Sequence, residues 1–494
     1  MWERLERAEL RFRGQHGGGR SAGPPPRPSL PVGTDLLPQI RHIVVLMMEN
    51  HSYDNYLGML QGRGEGFPLG ADGKPDIFNR DTGGVPVRAH HLSSTVQRPS
   101  GMPSQSWHAT HHQWAEGKCE GFVTSTQVVV PAAGDADAAE CEGPGAAVGM
   151  GYWSEDDLPF YYGLARTFPL ADHWFSSCLG PTFPNRRFLI AGTAYGLIDD
   201  APYNLLGYPP AGTIFDLLSR HGISWANYHA AAAGRSKPRN YMRHKHRMTR
   251  RRLLSAGRSF PAVTDGVHKD IQFTADVFPV GIGRYMQHVH GTDQFFADAD
   301  NGTLPAFSIV DPDFDLYSEE NPQDIRKGES FAAEVINRVM HGKGWPGTLL
   351  IWVYDEHGGY YDHVAPPPAV PPDDIEGRSL TGSPTRLQSV LRPFFPHVVR
   401  SEANLTEGPH GYDRYGFRVP AVLVSPYSRP EYVCSEVLDH TSVLKLVEQK
   451  WNLSPLTARD AAAVSPLSAL DLTGPPAFLQ PPSLPKPTLT WGSW

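Results

Sequence analysis

Two apolar runs end abruptly in acids, and they constrain the chain more than any other feature. Ile43-Val44-Val45-Leu46-Met47-Met48 leads straight into Glu49-Asn50, and Thr348-Leu349-Leu350-Ile351-Trp352-Val353-Tyr354 leads into Asp355-Glu356-His357. An uninterrupted apolar run of this length predicts a strand buried on both faces, as in parallel sheets covered by helices. Acids just past the carboxyl ends of such strands fall where open α/β sheets form their binding crevice. Further strand-like runs at 306–310 and 421–424 alternate with helix-like ones at 331–340 and 441–451. The expected fold class is therefore α/β, a mainly parallel sheet flanked by helices.

A chain of 494 residues can bury one large core or two ordinary ones. Residues 1–38, with Gly17-Gly18-Gly19 and Pro24-Pro25-Pro26, are expected to be a disordered lead-in. The main domain is expected over 39–475, followed by a Pro-rich tail, 476–494, lying extended on the surface. Segments of about 119–150 and 230–300 break the alternation and are expected to be insertions or lids. Within the second, residues 235–258 hold ten Lys and Arg and no acid. That stretch reads as a solvated basic loop, or as an attractor of anionic substrates or of an anionic membrane surface.

A net charge of -8 argues against a general nucleic-acid binder. No segment approaches the roughly 20 apolar residues of a membrane span. The first twenty residues lack the apolar stretch of a secretory leader, so residence in the cytoplasm is expected, or secretion if the start is misassigned. Four cysteines, at 119, 141, 178 and 434, form no CxxC pair. Cys119 and Cys141 are open to bridging across a loop or to remaining thiols. The oligomeric state is not legible.

Glu49, Asn50, Asp355 and Glu356 offer the oxygens that a hard divalent cation prefers. Three ionisable groups directly after a core strand, Asp355, Glu356 and His357, are costly to shelter unless something pairs them. Gly180-Pro181-Thr182-Phe183-Pro184-Asn185-Arg186-Arg187 precedes a helix-like run at 188–194. Thr182 reads in two ways: as a nucleophile in the positive end of a helix dipole, or as that helix's cap. Asn185 and Arg186 either hold a phosphate or satisfy the turn. His108 and His357 are candidates for donating to a phosphoryl oxygen or a leaving group, ahead of His363 and His440. Together these features suggest a metal-assisted hydrolase.

The motifs resemble the phosphoesterase family of bacterial phosphatidylcholine-hydrolysing phospholipase C, plant non-specific phospholipase C and related acid phosphatases. The resemblance rests on residues 42–54, on Ser106-Trp107-His108 leading to Gly121-Phe122, and on Gly180 to Arg186. It continues through Tyr354-Asp355-Glu356-His357-Gly358-Gly359-Tyr360-Tyr361-Asp362-His363-Val364, Gly416-Phe417-Arg418-Val419-Pro420 and Asp439-His440-Thr441-Ser442. It implies an alkaline-phosphatase-like core, with Thr182 as a nucleophile that becomes phosphorylated. It also implies a divalent metal ion (calcium, zinc or magnesium) on Glu49, Asn50, Asp355 and Glu356. Substrates would be phosphate esters, either phospholipid head groups at a membrane surface or soluble phosphomonoesters. A non-catalytic phosphate-ligand binder is the rival from another class. One departure stands out: relatives often carry His-Pro where this chain has Asn321-Pro322, ahead of Asp324 and Gly328-Glu329. Asn321 can bind substrate there but cannot act as an acid.

Overall fold

A computed structural model describes residues 22–97, 103–127, 144–198, 200, 208–230, 273–377 and 411–493. Its centre is a six-stranded sheet of β1 (His42–Met48), β2 (Trp225–His229), β3 (Val289–Gly291), β4 (Phe307–Asp311), β5 (Thr348–Tyr354) and β6 (Ala421–Val424). The strand order is β6-β5-β1-β4-β2-β3, parallel throughout except for β6, which runs antiparallel to β5. Every residue of β4, β5 and β6 is buried, as is every residue of β1 after His42. Since successive side chains point to opposite faces, both faces of the sheet are covered. That is why these strands read as continuous apolar runs rather than alternating ones.

Register sets the site. Met48 pairs with Tyr354, and Leu46 with Val310. The three central strands therefore run out together, and Glu49, Asp311 and Asp355 emerge along one edge.

Five helices position the site and its supports: α1 (Tyr53–Leu57), α2 (Trp107–Trp114), α3 (Thr182–Ala191), α4 (Ile325–His341) and α5 (His440–Trp451). Helix α4 packs on β1 and β5, and α5 packs on α3. The run expected to be helical at 188–194 instead begins at Thr182 and ends at Ala191, with Gly192 closing it at φ 68°.

The lead-in expected to be mobile as far as residue 38 is packed from residue 22 onward. The backbone N–H groups of Gly33 and Leu36 donate to Trp451 O and Lys450 O at 2.9 and 2.6 Å, and Arg27 N donates to Asn452 Oδ1 at 2.8 Å. A helix end leaves its last carbonyls without partners, and this segment supplies them for α5. Hydrogen bonds to the end of α5 order it, with Leu37 packing against the core beside them. The second expected insertion also rejoins the core. From Phe273 the chain contributes β3, an edge strand of only three residues, and the helix Thr292–Asn301. A strand that short carries no period to read. Cys141 and residues 235–258 lie outside the described residues. The tail runs without helix or strand, Trp345 Nε1 donating to Phe478 O at 2.9 Å and Trp491 lying edge-on to Tyr317.

A buried carboxyl ties the loop after β4 to the core. The hydroxyls of Tyr56 and Tyr161 donate to Glu319 at 2.8 and 2.7 Å, and that of Tyr354 donates to it as well. A Cβ at position 328 would lie 2.1 Å from Glu319 Cγ, so only glycine admits this side chain beside α4. Next along, Glu329 accepts from Phe160 N at 2.8 Å. Burial raises Glu319 to about 8 although the three phenols lower it, and burial raises Glu329 to about 8 against its backbone donors.

Glutamates in the unfolded chain ionise near ~4.3. Between there and about 8 the folded protein therefore keeps protons that the unfolded chain has lost, and stability falls as pH rises. Burial of His51, lowered from 6.5 to about 4, works the other way but only below its unfolded value. The two effects thus separate above pH ~6.5. From there to pH ~8 the fold should lose roughly 2 kcal/mol for each of the two carboxyls. Denaturant melts across that window should show a shallower loss in Glu319→Gln than in the native protein, and identical slopes would refute the assignment.

Candidate active site

Strand β1 ends in Glu49 and Asn50, both buried, and Asn50 turns the chain in the left-handed region at φ 67°, which asparagine tolerates better than most residues. Its backbone N–H donates to Asp355 Oδ1 at 3.1 Å, which locks the ends of β1 and β5 together. Opposite lies the first turn of α3. Pro181 is the residue before that helix and Thr182 is its first, with no side-chain capping bond. The capping role for Thr182 is thus excluded. Its hydroxyl, 1 % exposed with the whole residue, faces Asn50 Oδ1 at 3.5 Å. Phe183 N, free of the helix ladder at that end, donates to Asp200 Oδ1 at 2.7 Å.

Asn185 and Arg186, expected on a phosphate, have their polar atoms engaged within the protein. Asn185 Oδ1 accepts from Cys178 N at 3.0 Å, and its Nδ2 donates to Gly180 O and Pro181 O at 2.8 and 3.0 Å, shaping the turn that presents Thr182. Arg186 is fully buried. Its Nε donates to Asp355 Oδ2 at 2.8 Å and its Nη1 to Asp311 Oδ1 and Thr274 Oγ1 at 2.9 and 2.7 Å, while Glu49 Oε1 lies 3.8 Å from Nη2. Three carboxylates thus surround one guanidinium. Asp355 is held from a second side by His440, whose Nδ1 faces Trp174 Nε1 and whose Nε2 donates to Asp355 O at 2.6 Å. That histidine positions the strand end and has no proton left for a substrate.

Glu356 is completely buried, and its Oε1 has no hydrogen-bond partner. Burial first, then the charges of Asp355, Asp200 and Glu49, raise it well above the ordinary carboxylate range. His357 is equally buried, and desolvation lowers it to about 3, so its ring is neutral. Its Nε2 lies 2.7 Å from Gln113 Oε1 on α2. The proton there is engaged, which removes it as the donor to a phosphoryl oxygen that the sequence suggested. His108 sits half-buried in the first turn of the same helix. Asn321 Nδ2 donates to Tyr360 OH at 3.3 Å, and that hydroxyl donates to Gln97 Oε1 at 2.8 Å, which leaves the buried Asn321 Oδ1 without a partner.

A family model described as Phosphoesterase family matches residues 40–454, nearly the whole of this scaffold. The chain belongs to the Phosphoesterase family. It is accordingly a hydrolase of phosphate esters. Over 478 residues it is 29 % identical to "Phospholipase C B" of Mycobacterium tuberculosis, covering 92 % of this chain and 80 % of that protein. It is 27 % identical to "Non-hemolytic phospholipase C" of Burkholderia pseudomallei, over 85 % of this chain and 56 % of that one. It is 26 % identical to "Non-specific phospholipase C6" of Arabidopsis thaliana, over 86 % and 71 %. No described helix is long and apolar enough to cross a membrane.

The surplus of buried carboxylates around Arg186, together with the orphaned Glu356 Oε1, is chemically compatible with a divalent cation. Glu49, Asp355 and Glu356 do not, however, draw together as a compact cluster. Among the described residues, the group of acids and histidines whose ligand atoms all lie within 4.8 Å of one another is Asp54, Asp362 and His363. That spacing is compatible with a divalent metal. The same carboxylates are bonded to buried Arg418, at 3.1 Å for Asp54 and 2.9 Å for Asp362, and His363 Nδ1 lies 2.6 Å from Asp54 Oδ2.

Asp311 is a site residue that sequence reasoning passed over, although it carries the same signature as its neighbours, an apolar strand ending in an acid. Gln113, Thr274 and Tyr360 carry no such signal.

Proposed function

We propose that the protein hydrolyses phosphate esters through a phosphothreonine on Thr182, in a core of the alkaline-phosphatase type, with phospholipid head-group esters as substrates, as in a phospholipase C. The observation that carries this reading is the Thr182 hydroxyl, aimed at Asn50 Oδ1 rather than at its own helix, 3.5 Å away beside buried acids from β1 and β5. The Thr182 oxygen attacks phosphorus in line with the ester oxygen, whose bond to phosphorus breaks. Water then attacks the phosphothreonine, releasing phosphate or a phosphorylated head group and restoring the hydroxyl.

A divalent cation held by Glu49, Asn50, Asp355 and Glu356 would offset negative charge on the threonine oxygen and on a phosphoryl oxygen. Asn50 orients the hydroxyl. Arg186 holds the side chain of Asp355 and His440 its main-chain carbonyl. With His357 engaged by Gln113, His108 is the histidine assigned to protonate the leaving group, and Asn321 contributes binding without acid catalysis.

A substrate panel tests the reading: phosphatidylcholine, phosphatidylinositol, p-nitrophenyl phosphate and p-nitrophenyl phosphorylcholine, each with and without chelator. Diacylglycerol release that chelation abolishes and a divalent ion restores is the expected result. Cleavage confined to the phosphomonoester would replace lipid by a soluble substrate, and turnover indifferent to chelator would remove the cation.

A further inference from the structure

The structure assigns Asn321 Oδ1 as a hydrogen-bond acceptor for the alcohol part of the substrate, an inference that rests on the proposed ester hydrolysis at Thr182. It selects esters whose head group carries an O–H or N–H donor. The assignment follows from a chain of two amides and a phenol whose direction can be read. Gln97 Nε2 meets two main-chain carbonyls, Glu319 O at 2.6 Å and Gln323 O at 3.3 Å, so that end of the amide is nitrogen. Gln97 Oε1 is then the atom facing Tyr360 OH at 2.8 Å, and the phenol donates its one proton to it. Toward Asn321, 3.3 Å away, Tyr360 can only accept, which fixes the amide atom there as Nδ2. Oδ1 is the opposite end, buried and without a partner among the described residues.

Asn321 stands beside the end of β1. Glu49 N donates to Ser318 O at 3.2 Å, and His51 Nε2 lies 2.9 Å from Glu319 O, so the segment leading to Asn321 is tied to the residues on either side of Asn50. Asn50 is the residue that faces the Thr182 hydroxyl. The Tyr360 ring stacks on His51 with centroids 5.0 Å apart, and Tyr360 N donates to His357 O at 3.0 Å, which holds the phenol in the same corner. Gln97 and Tyr360 are both buried, so neither can turn away to release the Asn321 amide.

A buried amide oxygen that accepts nothing costs free energy, and only a donor relieves it. The phosphodiester group is not that donor, since its phosphoryl oxygens are themselves acceptors and carry negative charge. The donor therefore belongs to the alcohol: the ammonium of ethanolamine or serine, or a hydroxyl of inositol or glycerol. Choline has none, because its nitrogen is fully methylated. A site that holds out a hydrogen-bonding group rejects the analogue lacking the partner more strongly than an apolar pocket rejects a missing methylene, because the protein's own group is left unpaired.

The test is a ratio of kcat/KM values for the full chain, ethanolamine ester over choline ester, taken once with phosphatidylethanolamine and phosphatidylcholine vesicles and once with the soluble p-nitrophenyl phosphoryl esters. Faster turnover of the vesicle pair identifies a lipid as the source of the head group, and faster turnover of the aryl pair a soluble ester; the ratio within each pair reads Asn321. The native chain should favour ethanolamine by about tenfold or more. Asn321→Leu, which keeps the bulk and removes the acceptor, should bring the ratio close to one. Gln97→Leu leaves Asn321 in place but frees the Tyr360 hydroxyl to donate to Oδ1, so the amide turns its nitrogen outward and the preference should be lost there too. A native ratio near one, or a ratio that Asn321→Leu leaves unchanged, would mean that Oδ1 meets only water and would overturn the inference. Calorimetry with phosphorylethanolamine and phosphorylcholine reads the same preference as affinity, without turnover. A native chain that binds with this preference yet hydrolyses none of the esters would refute the proposed hydrolysis and leave the assignment of Asn321 standing.

Discussion

Thr182→Ala is expected to lose ester hydrolysis by ~10⁴-fold or more while folding as before, because removal of a nucleophile's oxygen leaves only positioning and charge stabilisation. The two halves of this expectation have separate structural grounds. Loss of turnover is expected from the hydroxyl's place against Asn50 Oδ1, at a helix start whose next N–H is taken by Asp200. Retention of the fold is expected because Thr182 makes no capping bond, and alanine suits a first helical turn at least as well as threonine does. Release of p-nitrophenol from an aryl phosphate, beside a thermal melt, reads both at once. Thr182→Ser keeps an oxygen at the same position and should retain measurable turnover. Rapid acid quenching of the native protein should show a phosphate on the peptide containing Thr182, absent from the alanine variant. Turnover within tenfold of native in the alanine variant would reject the nucleophile outright.

How much of this is legible from residues alone depends on how each part is held. Strands β1 and β5 are legible because burial on both faces forces unbroken apolar composition, and so is the helix at α5, where Asp439 and Ser442 form a capping box. Strand β2 is not. Trp225-Ala226-Asn227-Tyr228-His229 holds an asparagine that is fully buried because its Nδ2 donates to Asp311 Oδ2 at 2.7 Å, a partner more than eighty positions away. A polar residue whose partner is that distant reads locally as a break in a strand.

The site divides along the same line. Glu49, Asn50, Asp355 and Thr182 announce themselves through local pattern: acids at strand ends, a hydroxyl at a helix start. The roles of Arg186, His357 and His440 depend on which atoms already have partners, and that is a property of the folded chain. In the sequence Arg186 reads equally as a phosphate contact or as a turn residue, His357 as a donor to substrate, and His440 as a weaker candidate for the same role. In the fold Arg186 and His440 steady Asp355, and His357 gives its proton to Gln113. Over residues 22–38 the lead-in departs from the expected disorder for a related reason. Low apolar content predicts disorder only if no backbone groups wait to be capped, and the carboxyl end of α5 has several.

The largest effect on stability should come from Arg186→Met. Methionine approximates the arginine stem in volume, so the packing of the stem is largely kept, although the stacking of the guanidinium carbon 4.8 Å over the Phe314 ring goes with the charge. What is lost is the guanidinium paired with Asp311 and Asp355, both completely buried. Breaking a buried pair from one side typically costs about 3–5 kcal/mol, roughly a third or more of an ordinary folding free energy. Charge, rather than shape, should account for that loss. Asp311 keeps donors from Thr274 N at 2.7 Å and Asn227 Nδ2 at 2.7 Å, so Asp311→Asn in the methionine background removes one stranded charge and should recover part of the stability. It should not recover activity, because Asp355 would still lack the bond to its Oδ2 that sets its orientation. Urea melts of native, single and double variants form the required cycle. If the methionine variant unfolds within about 1 kcal/mol of native, or if Asp311→Asn deepens the defect instead of relieving it, then Arg186 is not the charge that holds these strand ends together.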